Sequence, residues 1–135
     1  MYFENPFFES VDHKVLVWHG DLNVAELGDY LEEPGGAGEN EPISKFCVDV
    51  GRWYDHDFIW AQAHDEDVTI RKLCELNGMQ PLEFVAEIEE HGGGVMGKCI
   101  LVLWNAERLD DSPRLFAGGR LRCIGCWERE SPYTD

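Results

Sequence analysis

The chain of 135 residues is 44% hydrophobic, which is enough to fill one core and excludes an intrinsically disordered protein. Its 27 acidic residues against 11 basic ones give a formal net charge of −16, which disfavours nucleic acid and anionic membranes and favours basic partners. No apolar run approaches the roughly 20 residues that cross a bilayer, and the acidic segment Met1–Ser10 is unlike a signal peptide. We therefore expect a cytoplasmic protein whose five cysteines are reduced.

Hydrophobic spacing and turn residues predict four strands and four helices along the chain. In chain order these are strand Val15–His19, a helix from Val24 to about Glu33, a short helix after Ser44, strand Phe58–His64, helices Val68–Leu76 and Pro81–Glu90, and strands Cys99–Trp104 and Leu121–Glu128. Asn23 and Ser44 are expected to cap the first two helices, and Gly51 to end the second.

This order, β-α-α-β-α-α-β-β, predicts one α+β domain over residues 1–135. The sheet is expected to be small, largely antiparallel and about four-stranded, with the helices packed mainly on one face. Residues 1–13 and 131–135 are expected at the periphery of this domain. The run Cys99–Trp104 is apolar throughout, as in a strand that is covered on both faces.

Two motif-like patterns have contexts that favour structural roles. Gly92, Gly94 and Gly97 have a dinucleotide-binding spacing, but a predicted helix precedes them and a strand follows, which reverses the required order. Cys123 and Cys126 have the spacing of a zinc or redox pair, but no second pair of ligands accompanies them. Because residues three apart on a strand point to opposite faces, the two thiols are not expected to bind one metal together. Free cysteine is among the most buried residue types, so we expect both to be core thiols.

Acidic residues and histidines flank the second predicted strand and suggest a metal site as an alternative. Asp55, His56 and Asp57 could hold a divalent metal that activates water, as in a small metal-dependent hydrolase. The other group, His64–Asp67, would lie about 20 Å away along the strand, so one site cannot use both. A turn and a solvated acidic loop are the simpler interpretations, and we expect neither a metal nor a cofactor.

The aromatic residues divide into two groups. Trp18, Trp60, Trp104 and Trp127 lie in or at the end of predicted strands, where core packing is expected. Trp53 and Tyr54 instead lie between charged residues in a predicted loop. Exposed loop aromatics are typical binding anchors, but they also fold back onto a core as lids, and the sequence leaves both interpretations open.

Short motifs that run through nearly the whole chain occur in this order: Val17–Gly20, Ala25–Leu31, Ser44–Phe46, Asp49–Gly51, Tyr54–Ile59, Ile100–Asn105 and Leu121–Gly125. This ordered set resembles the immunity protein 22 family of bacterial polymorphic-toxin systems. The resemblance extends from about Lys14 to Glu128. Met1–His13, Gly36–Gly38 and the tail after Glu130 fall outside it.

The resemblance implies a small cytoplasmic protein that binds and neutralises a cognate toxin, without catalysis and without a cofactor. Trp18, Gly20, Asp55, Asp57 and Phe58 match motif positions of the family. Trp18 and Phe58 are expected to be structural. Asp55 and Asp57 are expected either to fix the entry to the strand or to face the partner.

The acidic residues are concentrated between Asp21 and Glu90, where 18 acidic and 4 basic residues give a net charge of −14. The four predicted strands with their flanks hold four bases and one acid, so the acids are expected on helices and loops. Because a nuclease holds phosphate with Lys and Arg, a basic toxin such as a nuclease is the predicted partner. The predicted toxin-binding residues are Glu32, Glu33, Trp53, Tyr54, Asp55, Asp57, Asp65, Glu66 and Asp67, with Glu87, Glu89 and Glu90 as a second choice.

Immunity is thus the preferred functional hypothesis, for a monomer or weak homodimer that binds neither nucleic acid nor membranes. Two alternatives remain open. One is the metal-dependent hydrolase built on Asp55, His56 and Asp57, and the other is an acidic protein-binding module unrelated to toxins.

Overall fold

The computed structural model describes residues 6–32, 44–52, 58–76, 82–92, 96–109 and 115–129. Its elements in chain order are β1 (Phe8–Gly20), α1 (Val24–Leu31), α2 (Lys45–Val50), β2 (Ile59–Val68), α3 (Ile70–Glu75), α4 (Leu82–Gly92), β3 (Gly97–Arg108) and β4 (Leu121–Glu128), with a short 3-10 turn at Ala117–Gly119 before β4. This order confirms the predicted single α+β domain.

The sheet has four strands in the order β2-β3-β1-β4, and every neighbouring pair is antiparallel. The two central strands, β1 and β3, carry the longest apolar runs, because a central strand is buried on both faces. All six residues of Cys99–Trp104 are buried, which confirms the interpretation of that run as a doubly covered strand.

Helices cover both faces of the sheet, and of the four helices in the described residues two lie on each face. Leu16 and Trp18 of β1 pack with residues of α1 and α2, whereas Val15 and Val17 pack with residues of α3 and α4. The prediction that the helices pack mainly on one face is therefore wrong. Consecutive apolar residues on a strand point to opposite faces, so β1 and β3 require cover on both sides.

Trp18 is fully buried at the centre of the α1–α2 side of the core. Its ring contacts those of Phe7, Phe46 and Phe116, with centroid separations of 5.9, 5.1 and 5.7 Å. This placement agrees with the structural role that was expected for Trp18. Phe58 is half-buried and packs against the other side of the core, which includes α3 and α4.

The prediction that residues 1–13 are peripheral is wrong for Phe7 and Phe8, which are 3% and 2% exposed. The Phe7 backbone N–H donates to Val50 O at 2.8 Å, and Phe7 O accepts from the Leu109 N–H at 2.8 Å. The first strand therefore begins at Phe8, seven residues before the predicted start at Val15. Residues 131–135 lie outside the described residues.

Three predicted helix caps are confirmed. The Asn23 side chain accepts from the Glu26 N–H at 2.9 Å and the Glu26 carboxylate accepts from the Asn23 N–H at 3.1 Å, which forms a capping box. Ser44 Oγ accepts from the Cys47 N–H at 3.0 Å. Gly51 ends α2 with φ 71°, the left-handed conformation that glycine adopts most easily.

β4 contains a bulge that changes the direction of its side chains. Val17 pairs with Gly125, but Trp18 pairs with Cys123, so Ile124 is an extra residue in the ladder. As a result, Cys123 and Cys126 both pack against the α1–α2 side of the core. The prediction that they point to opposite faces is wrong, because the bulge shifts the alternation by one residue.

Candidate binding surface

The acidic segment Asp65–Asp67 forms the exposed end of β2. All three side chains are exposed, and the segment belongs to a strand rather than to the predicted loop. This also corrects the predicted start of the following helix, because β2 continues to Val68 and α3 begins at Ile70. Charged residues are tolerated here because β2 is at the edge of the sheet and the side chains at its end face water.

This acidic end of β2 lies beside the N-terminus of α1. Asp65 Oδ1 accepts a hydrogen bond from the Val24 N–H at 3.3 Å, which satisfies one of the free amides of the first helical turn. Asp67 Oδ1 lies 3.9 Å from Lys98 Nζ, at the outer limit of an ion pair. In the described part of the chain, the Glu66 carboxylate has no ion-pair partner.

The structure separates two groups of the predicted toxin-binding residues. Glu32 is exposed at the C-terminal end of α1, whereas Asp65 lies at its N-terminal end. Eight helical residues span about 12 Å, so Glu32 and Asp65 can belong to one extended surface but not to one compact site. The other predicted residues, Glu33, Trp53, Tyr54, Asp55 and Asp57, lie outside the described residues.

Two acidic residues near the start of α1, Asp21 and Glu26, are neutralised by Arg120, a residue that no sequence pattern singles out. The Arg120 guanidinium pairs with Glu26 and Asp21, and these bonds join residues that are 94 and 99 positions apart. The hydrogen bonds from Arg120 and from Asn23 lower the pKa of Glu26 to about 2. No sequence signal announces this contact, because it depends on the approach of β4 to α1.

An open groove of about 420 Å³ lies between α1, α2 and the 3-10 turn. It is lined by Leu22, Ala25, Glu26, Asp29, Tyr30, Lys45, Ala117 and Arg120. Lys45 Nζ forms an ion pair with Asp29 at 2.5 Å, and Arg120 pairs with Glu26, so the charges of the groove largely cancel. The groove therefore contributes little to an acidic binding surface.

Asp49 joins the elements around this groove. Its Oδ2 accepts from Tyr30 Oη at 2.6 Å and from the Ala117 N–H at 2.9 Å. The Ala117 backbone has φ 52°, which is unfavourable for a residue with a Cβ. We attribute a structural role to Asp49, because its carboxylate holds this turn against α1.

The acids of α4, the second choice for the toxin-binding surface, are mostly paired. Glu87 Oε1 lies 3.0 Å from Arg129, and Glu89 pairs with Arg71 at 2.5 Å. Glu90 is exposed, and in the described part of the chain it has no ion-pair partner. The α4 face is therefore less acidic than its sequence suggests.

The strands themselves carry more negative charge than expected. With the observed bounds, the four strands hold seven acids and four bases, a net charge of −3. The predicted strands with their flanks held four bases and one acid, Glu128, so the prediction that nearly all acids lie on helices and loops is wrong for the other six acids of the observed strands. The difference arises because β1, β2 and β3 extend beyond their predicted bounds. The added residues are mostly polar and lack the alternation of apolar and polar residues that predicts a strand.

The cysteines are free thiols. Cys47, Cys74 and Cys99 are buried, as expected for core thiols, whereas Cys123 and Cys126 are half-buried. Burial raises the pKa of the Cys74 thiol to about 12 and that of Cys123 to about 11. A protonated thiol is a weak nucleophile and a weak metal ligand, so these two residues are poorly suited to catalysis.

In the described ranges, no group of three or more His, Cys, Asp or Glu side chains is arranged to hold a metal ion. Asp55, His56 and Asp57, the residues of the predicted metal alternative, lie outside those ranges. None of the described helices has the length and apolar character that crossing a bilayer requires.

No family model, curated protein or solved structure matches this chain. The resemblance to the immunity protein 22 family therefore stays a prediction from the ordered sequence segments between Lys14 and Glu128.

Proposed function

We propose that this chain is an immunity protein that binds a basic protein toxin and neutralises it by covering its active site. The observation that carries the proposal is the exposed acidic end of β2, Asp65–Asp67, in a protein with a net charge of −16. The ordered segments that resemble the immunity protein 22 family support the same function.

The distribution of paired and unpaired acids supports an electrostatic role for this end of β2. The acids that border the groove beside α1 are neutralised by Arg120 and Lys45. In the part of the chain that the structure describes, the one ion pair of Asp65–Asp67 is that of Asp67 with Lys98, at 3.9 Å. An exposed cluster of three acids with one long ion pair keeps a net negative charge, which attracts a positively charged partner within about one Debye length. Such a cluster mainly raises the association rate and the specificity of a complex.

The proposed mechanism is steric and electrostatic occlusion rather than catalysis. A nuclease toxin must present Lys and Arg side chains to phosphate oxygens, and carboxylates placed against them exclude the nucleic acid. No proton transfer or covalent step by this chain is needed. One molecule of this protein therefore protects against one molecule of toxin.

The direct test is co-expression with the product of the neighbouring gene, scored by cell survival and by co-purification. We expect cells that make the toxin to survive only when they also make this protein, and we expect the two proteins to purify as a one-to-one complex. Continued killing in the presence of correctly folded protein would contradict the proposal. Metal analysis of the purified protein addresses the hydrolase, since stoichiometric metal that is lost in Asp57→Ala would favour that function instead.

The electrostatic part of the mechanism predicts that charge at the end of β2 controls association. The triple variant Asp65→Asn, Glu66→Gln, Asp67→Asn keeps the acceptor for the Val24 N–H but removes three charges. We expect its association rate with a basic toxin to fall by about tenfold or more at low salt and the salt dependence to flatten. Stopped-flow fluorescence at several salt concentrations measures both quantities.

A matched control removes the same charge from other exposed positions. The variant Glu75→Gln, Glu90→Gln, Glu128→Gln changes three exposed carboxylates on α3, α4 and β4. We expect its association rate to stay within about threefold of that of the unmodified protein, because only total charge is altered. Equal effects of the two triple variants would show that net charge, and not the end of β2, steers the toxin.

A further inference from the structure

In the described part of the chain, β2 and β4 form the two edges of the sheet, and the longer stretch in one register belongs to β2, over Ile59–Ala63. The register of β2 shifts only after Ala63, between Ala63 and Val68. β4, the other edge strand, is interrupted by the extra residue Ile124 and carries the exposed charge of Arg122. β2 instead pairs with β3 over Ile59–Ala63 in one continuous register. A bulge and a charge are the usual means by which an edge strand is kept from pairing with another chain.

The direction of the free backbone groups of β2 follows from the ladder. The Asp21 N–H donates to Arg120 O at 3.1 Å and the Arg129 N–H donates to His13 O at 2.7 Å, so odd-numbered residues of β1 face β4. Along an antiparallel strand, successive residues direct their N–H and C=O groups to opposite sides, so the even-numbered residues of β1 bond to β3. The registers of β3 with β1 and with β2 continue this alternation. The backbone N–H and C=O groups of Trp60 and Gln62 therefore point toward β3.

Ala61 and Ala63 therefore direct their backbone N–H and C=O groups away from the sheet. In the described part of the chain, no backbone hydrogen bond from outside the ladder reaches these two residues. The Gln62 side-chain Nε2 donates to Ala63 O at 3.0 Å and gives that carbonyl a local partner. A docking strand would replace this side-chain bond with a backbone bond.

The edge also lacks the features that block pairing. Ile59–Ala63 contains no charged residue, no proline and no bulge, and its side chains are half-exposed. Charge begins only at the end of the strand, with Asp65–Asp67.

The charge of the molecule selects the occupant of this edge. A second copy of the chain also carries −16, and two copies repel one another on approach. A basic segment is attracted instead, and its Lys or Arg side chains can reach the carboxylates of Asp65–Asp67 once it lies along β2. Strand addition gives affinity through the main chain and specificity through such side-chain contacts.

We infer that the Ile59–Ala63 edge of β2 binds an extended, basic segment of the toxin as a fifth strand of the sheet. This inference rests on the proposed function and states how the toxin is held. The acids at the end of β2 steer the segment, and the outward N–H and C=O groups of Ala61 and Ala63 hold it.

The test is amide hydrogen exchange by NMR, on the free protein and on its complex with the product of the neighbouring gene. In the complex, the Ala61 and Ala63 amides should exchange at least about tenfold more slowly, because they gain backbone acceptors. The Trp60 and Gln62 amides already donate to β3 and should change much less. This alternation distinguishes strand addition from a contact of side chains alone.

The other outcomes of the exchange experiment contradict either the edge inference alone or the proposed function as well. A stable complex without added protection of Ala61 and Ala63 overturns the edge inference and leaves the immunity function standing. No complex at all overturns the proposed function and the inference with it. Protection in the free protein that grows with its concentration would show that a second copy occupies the edge, which also overturns the inference.

A proline variant tests the same bonds by affinity. Ala61→Pro removes an N–H that points away from β3, and proline is tolerated at such positions of an edge strand. We expect the dissociation constant of the complex to rise about tenfold or more, whereas the control Ala61→Ser keeps the N–H and should bind normally. Circular dichroism checks that both variants are folded, and equal binding by a folded Ala61→Pro contradicts the inference.

Discussion

At the scale of single residues, His19 and Trp18 each have a buried polar side-chain atom without a hydrogen-bond partner within the described residues, and of the two only the imidazole of His19 can take up a proton. His19 is 4% exposed, and within the described residues its Nε2 has no hydrogen-bond partner. Gly97 lies directly against the His19 ring, and a Cβ at that position would come within 2.6 Å of Nε2. Arg122 of β4 lies opposite His19 of β1 in the register of the two strands. Burial, and secondarily the charge of Arg122, lower the pKa of His19 below its usual value of 6.5.

This lowered pKa predicts a loss of stability in mildly acidic solution. The unfolded chain takes up a proton at His19 near pH 6.5 and the folded chain does so only at lower pH, so stability is complete above pH 6.5 and falls below it. The slope approaches about 1.4 kcal/mol per pH unit, the value for one proton. Urea unfolding at pH 7.5 and at pH 5.5 measures the effect.

The control for this prediction is His19→Leu, which removes the titrating group but keeps an apolar side chain in the core. Its unfolding free energy should depend less on pH between 7.5 and 5.5 than that of the unmodified protein. The same pH dependence in both proteins would assign the effect to other groups. The carboxyl of Glu26 titrates far below this interval, because Arg120 holds its pKa at about 2.

At the scale of single elements, the short helices depend on their caps. α1 has only eight residues and α2 and α3 have six each, lengths at which an isolated helix is not stable in water. Asn23, Ser44 and Thr69 each accept a backbone N–H of the first turn. These caps and the packing against the sheet hold the helices in place.

We predict that Asn23→Ala destabilises the protein by about 1 kcal/mol, because the variant loses the acceptor for the Glu26 N–H. Asn23→Ser keeps an acceptor at the same position and should lose much less. Equilibrium urea unfolding of the two variants checks the difference. A loss of the same size in both variants would mean that the capping bond contributes little here.

The elements also show where interpretation of the sequence succeeded. The bounds of β4 were predicted correctly as Leu121–Glu128, and the caps at Asn23, Ser44 and Gly51 were predicted from residue type alone. The start of β1 at Phe8 and the extension of β2 to Val68 were missed, because polar edge residues lack the alternation that predicts a strand. The bulge at Ile124 was missed because pairing with β1 creates it.

At the scale of the whole molecule, electrostatic repulsion opposes folding. The net charge is −16, and the ion pairs of the described part, such as Arg120 with Glu26, lie mostly at exposed positions where they stabilise little. Salt shortens the Debye length from about 30 Å at 0.01 M to about 10 Å at 0.1 M, so long-range repulsion is screened first.

We therefore predict that added NaCl stabilises this protein, with the urea midpoint rising between about 0.02 and 0.5 M salt. Most of the rise should occur at the low end of this interval, where screening of distant charges changes fastest. A midpoint that falls with salt would show that attractive ion pairs outweigh repulsion. Repeating the series with the triple variant Asp65→Asn, Glu66→Gln, Asp67→Asn should give a smaller rise.

The sequence by itself determined the fold class, the order of the elements and the local signals that begin and end helices, because each of these depends on neighbours along the chain. Only the tertiary structure decided that two helices cover each face of the sheet, that Arg120 neutralises Glu26, and that Cys123 and Cys126 share a face. It also decided that β2 is an open edge next to the acids Asp65–Asp67. These features depend on strand order and register, which join residues far apart in the chain and leave no local pattern.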